Sequence, residues 1–162
     1  MIDRHRMNVL PAVLIAVVAV SAASLIGSAA TLPVIPNWYA GLVKPSFNPP
    51  NWIFGPVWTT LYVMMGVAFF RILRLPYDIM GRQAGVRAFL TQIGLNGFWS
   101  VVFFGNQNIA GGLFVVVALW LSIIVTLALF WKLDRVAAWL MAPCLAWVSF
   151  AGVLNAALWS LN

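Results

Sequence analysis

The chain has 162 residues, of which 64% are hydrophobic and 7% charged, whereas soluble domains carry roughly 25% charged residues. This composition excludes a water-soluble globular protein, and the length suits one membrane domain covering residues 1–162. The net charge of +6 does not imply nucleic-acid binding, because the basic residues sit between apolar runs, where they orient membrane spans.

A spanning helix needs about 20 mainly apolar residues. The first run, 9–30, tolerates Pro11 in its first turn. Arg4 and Arg6 before it and Ser28-Ala29-Ala30 after it imitate a signal peptide. A signal core is only about 7–15 residues long, so the run reads as a retained helix. Residues 31–51 carry Pro33, Pro36, Pro45, Pro49 and Pro50. Proline fixes φ and removes donors, so a structured, non-helical loop is predicted there. A second helix follows over 52–72, with Pro56 in its first turn. Residues 74–82 form a polar connector. The stretch 88–131 has no charge and is too long for one span, and Gly105-Asn106-Gln107-Asn108 divides it. The third helix is therefore placed at 85–104 and the fourth at 109–131. Lys132-Leu133-Asp134-Arg135 reads as a tight charged turn, and the fifth helix as 136–161, kinked at Pro143. The predicted fold is an all-α integral membrane bundle of five helices.

Five spans place eight basic residues on one side, Arg4, Arg6, Arg71, Arg74, Arg82, Arg87, Lys132 and Arg135, and only Lys44 on the other. By the positive-inside rule the N-terminus is cytoplasmic and the C-terminus outside, which points to a plasma or bacterial inner membrane. Gly94 and Gly97 on the third helix offer small residues through which a homodimer could pack.

Polar groups within spans are costly unless satisfied, so their placement carries information. Gln92, Asn96, Trp99 and Phe103 share one face of the third helix, and Pro143, Trp147, Ala151 and Asn155 share one face of the fifth. Trp58, Tyr62 and Met65 align on the second, and Ser21, Ser24 and Ser28 on the first. Each amide taken singly is explained by hydrogen bonding between helices. Faces that combine amides or hydroxyls with large aromatic rings also suit a pocket for a flat apolar ligand. Trp38, Trp131 and Trp159 lie near span ends and read as interfacial belt residues.

Conventional reaction chemistry is missing. The one histidine, His5, is in the N-terminal tail, and there is no Glu. Asp3, Asp78 and Asp134 fall outside the spans, so no carboxylate pair, metal cluster or proton-pump acid is available. Cys144 is the sole cysteine, which excludes an intrachain disulfide.

Trp38-Tyr39-x-x-Leu42-x-Lys44-Pro45-x-Phe47-x-Pro49-Pro50, followed by Trp52-x-Phe54-x-x-x-Trp58-Thr59-x-Leu61-Tyr62, resembles the signature of the TspO/MBR family. These are the tryptophan-rich sensory proteins, translocator proteins or peripheral benzodiazepine receptors. Gln92-x-x-x-Asn96-x-x-Trp99-x-x-x-Phe103-Phe104 is similar to the family's third helix, and Pro143-x-Leu145-x-Trp147 with Ala151 and Leu154-Asn155 to its fifth. The resemblance implies a dimeric five-helix bundle that binds porphyrins, haem and synthetic isoquinoline or benzodiazepine drugs, with no resident cofactor, under a lid made by the first loop. It implies a pocket of Tyr39, Pro49, Trp58, Tyr62, Gln92, Asn96, Trp99, Phe103, Trp147 and Ala151. The chain departs from the family pattern at Cys144, where Tyr is frequent. It also lacks the Tyr and basic residue of the animal sterol-recognition segment at 155–159, which puts sterol binding in doubt. The implied function is a porphyrin receptor or carrier in tetrapyrrole homeostasis or stress signalling. The alternative is a light-dependent porphyrin-degrading enzyme, with Trp58 and Trp147 as the photochemical candidates. A small drug exporter fits less well, because such exporters depend on an intramembrane carboxylate.

Overall fold

The computed structural model describes residues 6–162, so Asp3, Arg4 and His5 lie outside the described residues. Five helices follow in order: α1 (Val9–Thr31), α2 (Asn51–Leu73), α3 (Arg82–Ser100), α4 (Ile109–Leu133) and α5 (Arg135–Leu161). A π-helical turn, Val101–Gly105, extends α3. With it, the five spans measure 23, 23, 24, 25 and 27 residues. At about 1.5 Å per residue even the shortest reaches roughly 35 Å, enough for a hydrocarbon core of about 30 Å. Among the described residues there is no strand, only an isolated bridge between Arg6 and Pro76.

Two boundaries differ from the sequence reading for identifiable reasons. The third helix begins at Arg82 and not at 85. Gly81 adopts φ 88°, a left-handed conformation that glycine takes without penalty, and so turns the chain directly into the helix. Arg82 then folds back, donates to the Leu73 carbonyl at the end of α2 (2.9 Å), and lies over the Tyr77 ring. The connector's last charge is thus a buried cap on the preceding helix. The second difference lies in 31–51, where Ile35–Tyr39 forms a π-helical turn in place of irregular loop. Pro36 permits this because it stands in the first turn, where a missing N–H costs no bond. Helix α5 runs through Pro143 without interruption.

The two ends of the bundle are built differently. The basic end is solid. Phe69 stacks on Phe89 at 4.1 Å between centroids, Phe130 continues the stack at 6.2 Å, and all three are fully buried. Asp134, the single residue between α4 and α5, ties this end together. One carboxylate oxygen accepts from the Val136 and Ala137 amides and caps α5, and the other pairs with Arg71 of α2 at 2.9 Å. Arg74 donates to the Met7 carbonyl.

Helix α1 joins through small residues, burying Ala12, Ala16, Ala23 and Gly27. Close approach between spans requires such residues. A Cβ at Gly97 of α3 would lie 3.6 Å from the Ala23 backbone, so this glycine faces α1 within the chain, whereas Gly94 opens onto free space. Of the two glycines read as a subunit contact, only Gly94 faces outward.

Candidate functional site

The loop end holds a cavity of about 380 Å³, within the range typical of small-molecule sites. Helices α1, α2, α3 and α5, the π-helical turn after α3 and the segment after α1 all line it. Helix α4 lines none of it and supports α3 and α5 from behind. Most of the lining is apolar or aromatic, with Ser, Thr and Asn side chains between the rings, and no charged side chain belongs to it.

Each wall follows from local sequence. On α2, Phe54, Trp58 and Tyr62 recur every four residues and project to one side. Trp58 and Tyr62 lie 5.6 Å apart between ring centroids. On α3, Asn96, Trp99 and Ser100 continue into Phe103 and Phe104. Adjacent residues in an α-helix diverge by about 100°. The wider π turn lets both phenylalanines border the cavity, with Trp99 stacked on Phe103 at 5.2 Å. On α5, Trp147, Ala151 and Asn155 alternate large and small groups one turn apart, and Phe54 meets Trp147 edge-on at 5.8 Å.

The polar groups are few and placed. Tyr62 donates its hydroxyl to Asn96 Oδ1 at 2.7 Å. Trp99 Nε1 donates to Asn155 Oδ1 at 3.3 Å, and Asn155 Nδ2 donates to the Ile109 carbonyl of α4 at 2.9 Å. Asn155 is therefore satisfied and joins three helices. Asn96 is not satisfied: its Nδ2 has no partner although the residue is 3% exposed and lines the cavity. A buried donor left unpaired costs roughly 1–3 kcal/mol, and here the atom itself is enclosed by protein, as are the unpaired Gln92 Oε1 and Arg82 Nε. On the α1 side, the Ser24, Ser28 and Thr31 hydroxyls border the cavity around Gly27. A Cβ at 27 would sit 3.3 Å from Ser100 Oγ, so glycine lets α3 come this close.

Of the segment between α1 and α2, Leu32, Ile35 and Tyr39 border the cavity, and none of residues 40–50 does. Tyr39 is buried against Phe103, Leu154 and Leu158 and donates to Asn48 Oδ1 at 3.0 Å. Burial pushes the Tyr39 phenol above its usual range, and the bond to Asn48 opposes part of that shift. Lys44 donates to the Ala40 and Leu42 carbonyls and lies over the Tyr39 ring at 4.9 Å, so its charge is turned into the loop.

Eight of the ten residues singled out from sequence line this cavity: Tyr39, Trp58, Tyr62, Asn96, Trp99, Phe103, Trp147 and Ala151. Gln92 and Pro49 do not. Gln92 shares the Asn96 face but sits one turn nearer the basic end, fully buried, with Nε2 against Met65 Sδ at 3.7 Å. Pro49 stays within the loop, its carbonyl accepting from Asn48 Nδ2. Trp38, read as a belt residue, packs on Phe103 and Phe104 instead, while Trp131 and Trp159 remain exposed at span ends. Cys144 lies buried beside Met65, away from the cavity. The sequence reading left out Gly27, Thr31, Leu32 and Ile35 from the α1 side and Ser100 from α3. Continuation of the Ser24–Ser28 spacing to Thr31 was the available signal. Among the described residues no group of three His, Cys, Asp or Glu could hold a metal.

Comparison with known proteins agrees with this geometry. The family model described as TspO/MBR family matches residues 13–160. The protein CrtK of Rhodobacter capsulatus is 40% identical over 125 residues, 77% of this chain and 78% of its own. The tryptophan-rich protein TspO of Archaeoglobus fulgidus is 40% identical over 158 residues, 96% of this chain and 99% of its own. The human translocator protein is 33% identical over 127 residues, 78% of this chain and 75% of its own.

Proposed function

The chain belongs to the TspO/MBR family of multi-pass membrane proteins, and from that premise we propose that it is a membrane receptor or carrier for porphyrins, haem and similar flat apolar ligands. The observation that supports this most is the cavity itself, where the Trp58, Trp99 and Trp147 indoles gather with phenyl and phenol rings and with the Ser24, Ser28 and Thr31 hydroxyls. Rings stack on a flat apolar face, and hydroxyls bond polar groups on its rim. The cavity offers no counter-charge, so the carboxylates of a porphyrin would project through the mouth. In this reading the first loop is the lid, and the N-terminus is cytoplasmic in a bacterial inner membrane. The test is a titration in detergent with protoporphyrin IX, haem and cholesterol, followed by tryptophan fluorescence. Saturable quenching by the tetrapyrroles with little response to cholesterol is expected. No saturable binding of either tetrapyrrole would remove the reading.

The orientation is checked by fusing alkaline phosphatase after Asn162, which is active only outside the cytoplasm. A homodimer packed on the α3 face around Gly94 belongs to the same reading. Crosslinking in mild detergent that finds only monomer would dismiss it. A second reading, light-dependent porphyrin breakdown, is favoured by Trp58 and Trp147, whose indoles both border the cavity.

A further inference from the structure

The segment between α1 and α2 has little regular hydrogen bonding of its own past the π turn, yet it is fixed at one point from outside. Asn162, beyond the end of α5, pairs with the backbone of Val43, which lies 119 positions earlier. Its Oδ1 accepts from the Val43 amide at 2.9 Å, and its Nδ2 donates to the Val43 carbonyl at 3.0 Å. The second Nδ2 hydrogen goes to the Leu158 carbonyl of α5 at 2.9 Å. A carboxamide is one of the few side chains that presents a donor and an acceptor side by side. Here it imitates a neighbouring strand for a single residue. Asp would keep the acceptor and lose the donor, and Ala would lose both.

This contact ends a row along α5. Phe150, Leu154, Leu158 and Asn162 recur every four residues and so share one face. The Phe47 ring meets Phe150 at 6.4 Å, Tyr39 packs with Leu154 and Leu158, and Val43 is held by Asn162. Leu154 and Leu158 also line the cavity, so the row that carries the loop is the cavity's outer wall. Nothing else among the described contacts holds the exposed Val43 backbone, since Lys44 only returns to Ala40 and Leu42.

We propose that Asn162 is a positioning residue, a latch that fixes Val43 to the end of α5 and thereby holds the loop, and with it Tyr39 four residues earlier, against the cavity wall made by Leu154 and Leu158. The part of this that concerns ligand residence rests on the porphyrin-binding reading, whereas the latch itself does not.

The experiment compares the full chain, tagged at its N-terminus, with Asn162→Ala and Asn162→Asp. Without ligand, hydrogen exchange of peptides spanning 40–47 is measured by mass spectrometry. Exchange there should rise about fivefold or more in Asn162→Ala and by an intermediate amount in Asn162→Asp, with α4 peptides unchanged. Loop exchange equal to wild type in both variants overturns the latch. With protoporphyrin IX loaded, dissociation should be several-fold faster in Asn162→Ala. If loop exchange rises but dissociation is unchanged, the latch does not govern ligand residence and that part of the proposal is overturned. If the wild type binds no porphyrin, the ligand reading fails while the exchange result still decides the latch.

Discussion

The two ends of this bundle use aromatic rings for opposite purposes. At the basic end Phe69, Phe89 and Phe130 stack without a gap and are wholly buried. At the loop end Trp58, Trp99, Trp147, Tyr62 and Tyr39 surround an empty volume of about 380 Å³. The difference lies in the mixture of rings. The basic end stacks phenyl rings alone, which have no bond to satisfy. At the loop end Phe54, Phe103 and Phe104 stand among indoles and phenols, of which Tyr62 is tied to Asn96 and Trp99 to Asn155, whereas Trp58 and Trp147 carry no such bond. One end supplies rigidity and the other the site.

The comparison breaks most visibly at the solid end. Phe89 lies between two stacked rings and is completely buried, so Phe89→Ala leaves a void that helices cannot close without moving. Large-to-small changes of this kind cost about 3–5 kcal/mol in water-soluble cores. In lipid, part of the transfer term is absent because acyl chains are as apolar as the core, so a loss of about 3 kcal/mol is expected. Detergent-denaturant unfolding followed by circular dichroism measures it. A loss below about 1 kcal/mol would mean that this end is not the structural half.

The next effect lies at the open end and should reverse the pattern, with binding lost and stability kept. Ala151 borders the cavity one turn after Trp147. Ala151→Phe fills the space and should weaken protoporphyrin IX binding at least tenfold, a loss above about 1.4 kcal/mol. Its unfolding midpoint should stay near that of the wild type. Unchanged affinity in a folded protein would place the ligand elsewhere.

A smaller effect separates the two roles of Asp134. Asn is as good an N-cap as Asp, so Asp134→Asn keeps the cap on α5 and removes only the ion pair to Arg71. Arg71 is 40% exposed, and pairs of that kind are worth roughly 0.2–1 kcal/mol. The expected loss is therefore below about 1 kcal/mol, with porphyrin affinity unchanged. A larger loss would show that the pair carries the junction.

How much of this was legible in sequence differs between the two ends. The five spans were, because charge, proline and the uncharged turn Gly105-Asn106-Gln107-Asn108 interrupt apolar runs at places the bilayer tolerates. Helical periodicity gave Asn96, Trp99, Trp147 and Ala151 their common direction. It gives azimuth around a helix and not depth along the bundle, which is why Gln92 shares the Asn96 face yet lies below the cavity against Met65. Pro49 belongs to a loop, where no period exists to place a side chain, and Trp38 to a π-helical turn that the prolines around it concealed. The π turn at Val101–Gly105 has no compositional signal either, so the pairing of Phe103 with Phe104 as neighbours on one wall was out of reach. Gly27 contributes by having no side chain, and only the Ser24–Ser28–Thr31 spacing around it hinted at that wall.

The finest distinction at the open end is between rings that hold a ligand and rings that react with it. The Ser and Thr hydroxyls of the cavity lining have no His, Asp, Glu or Lys among that lining to activate them, so turnover of a ligand in the dark is not expected. A bound porphyrin absorbs light itself, and once excited it can take an electron from a neighbouring ring or pass energy to dissolved oxygen. Indole is the most readily oxidised of the side chains present. The Trp99 indole is already engaged with Asn155, whereas Trp58 and Trp147 border the cavity from α2 and α5 and carry no such bond. Phe at either position keeps stacking area but removes the oxidisable ring. Trp58→Phe and Trp147→Phe should therefore change protoporphyrin IX affinity by less than about tenfold, or 1.4 kcal/mol. Under illumination in air they should lose most of any protein-dependent decay of the porphyrin absorbance band. Free porphyrin in the same detergent supplies the background rate. Decay in the wild type no faster than this background, with no distinct product, eliminates the degrading activity and leaves the receptor. Equal decay above background in all three proteins would mean that the rings only grip the pigment. In that case the open end differs from the closed one in the space its rings surround, and not in the redox chemistry of its indoles.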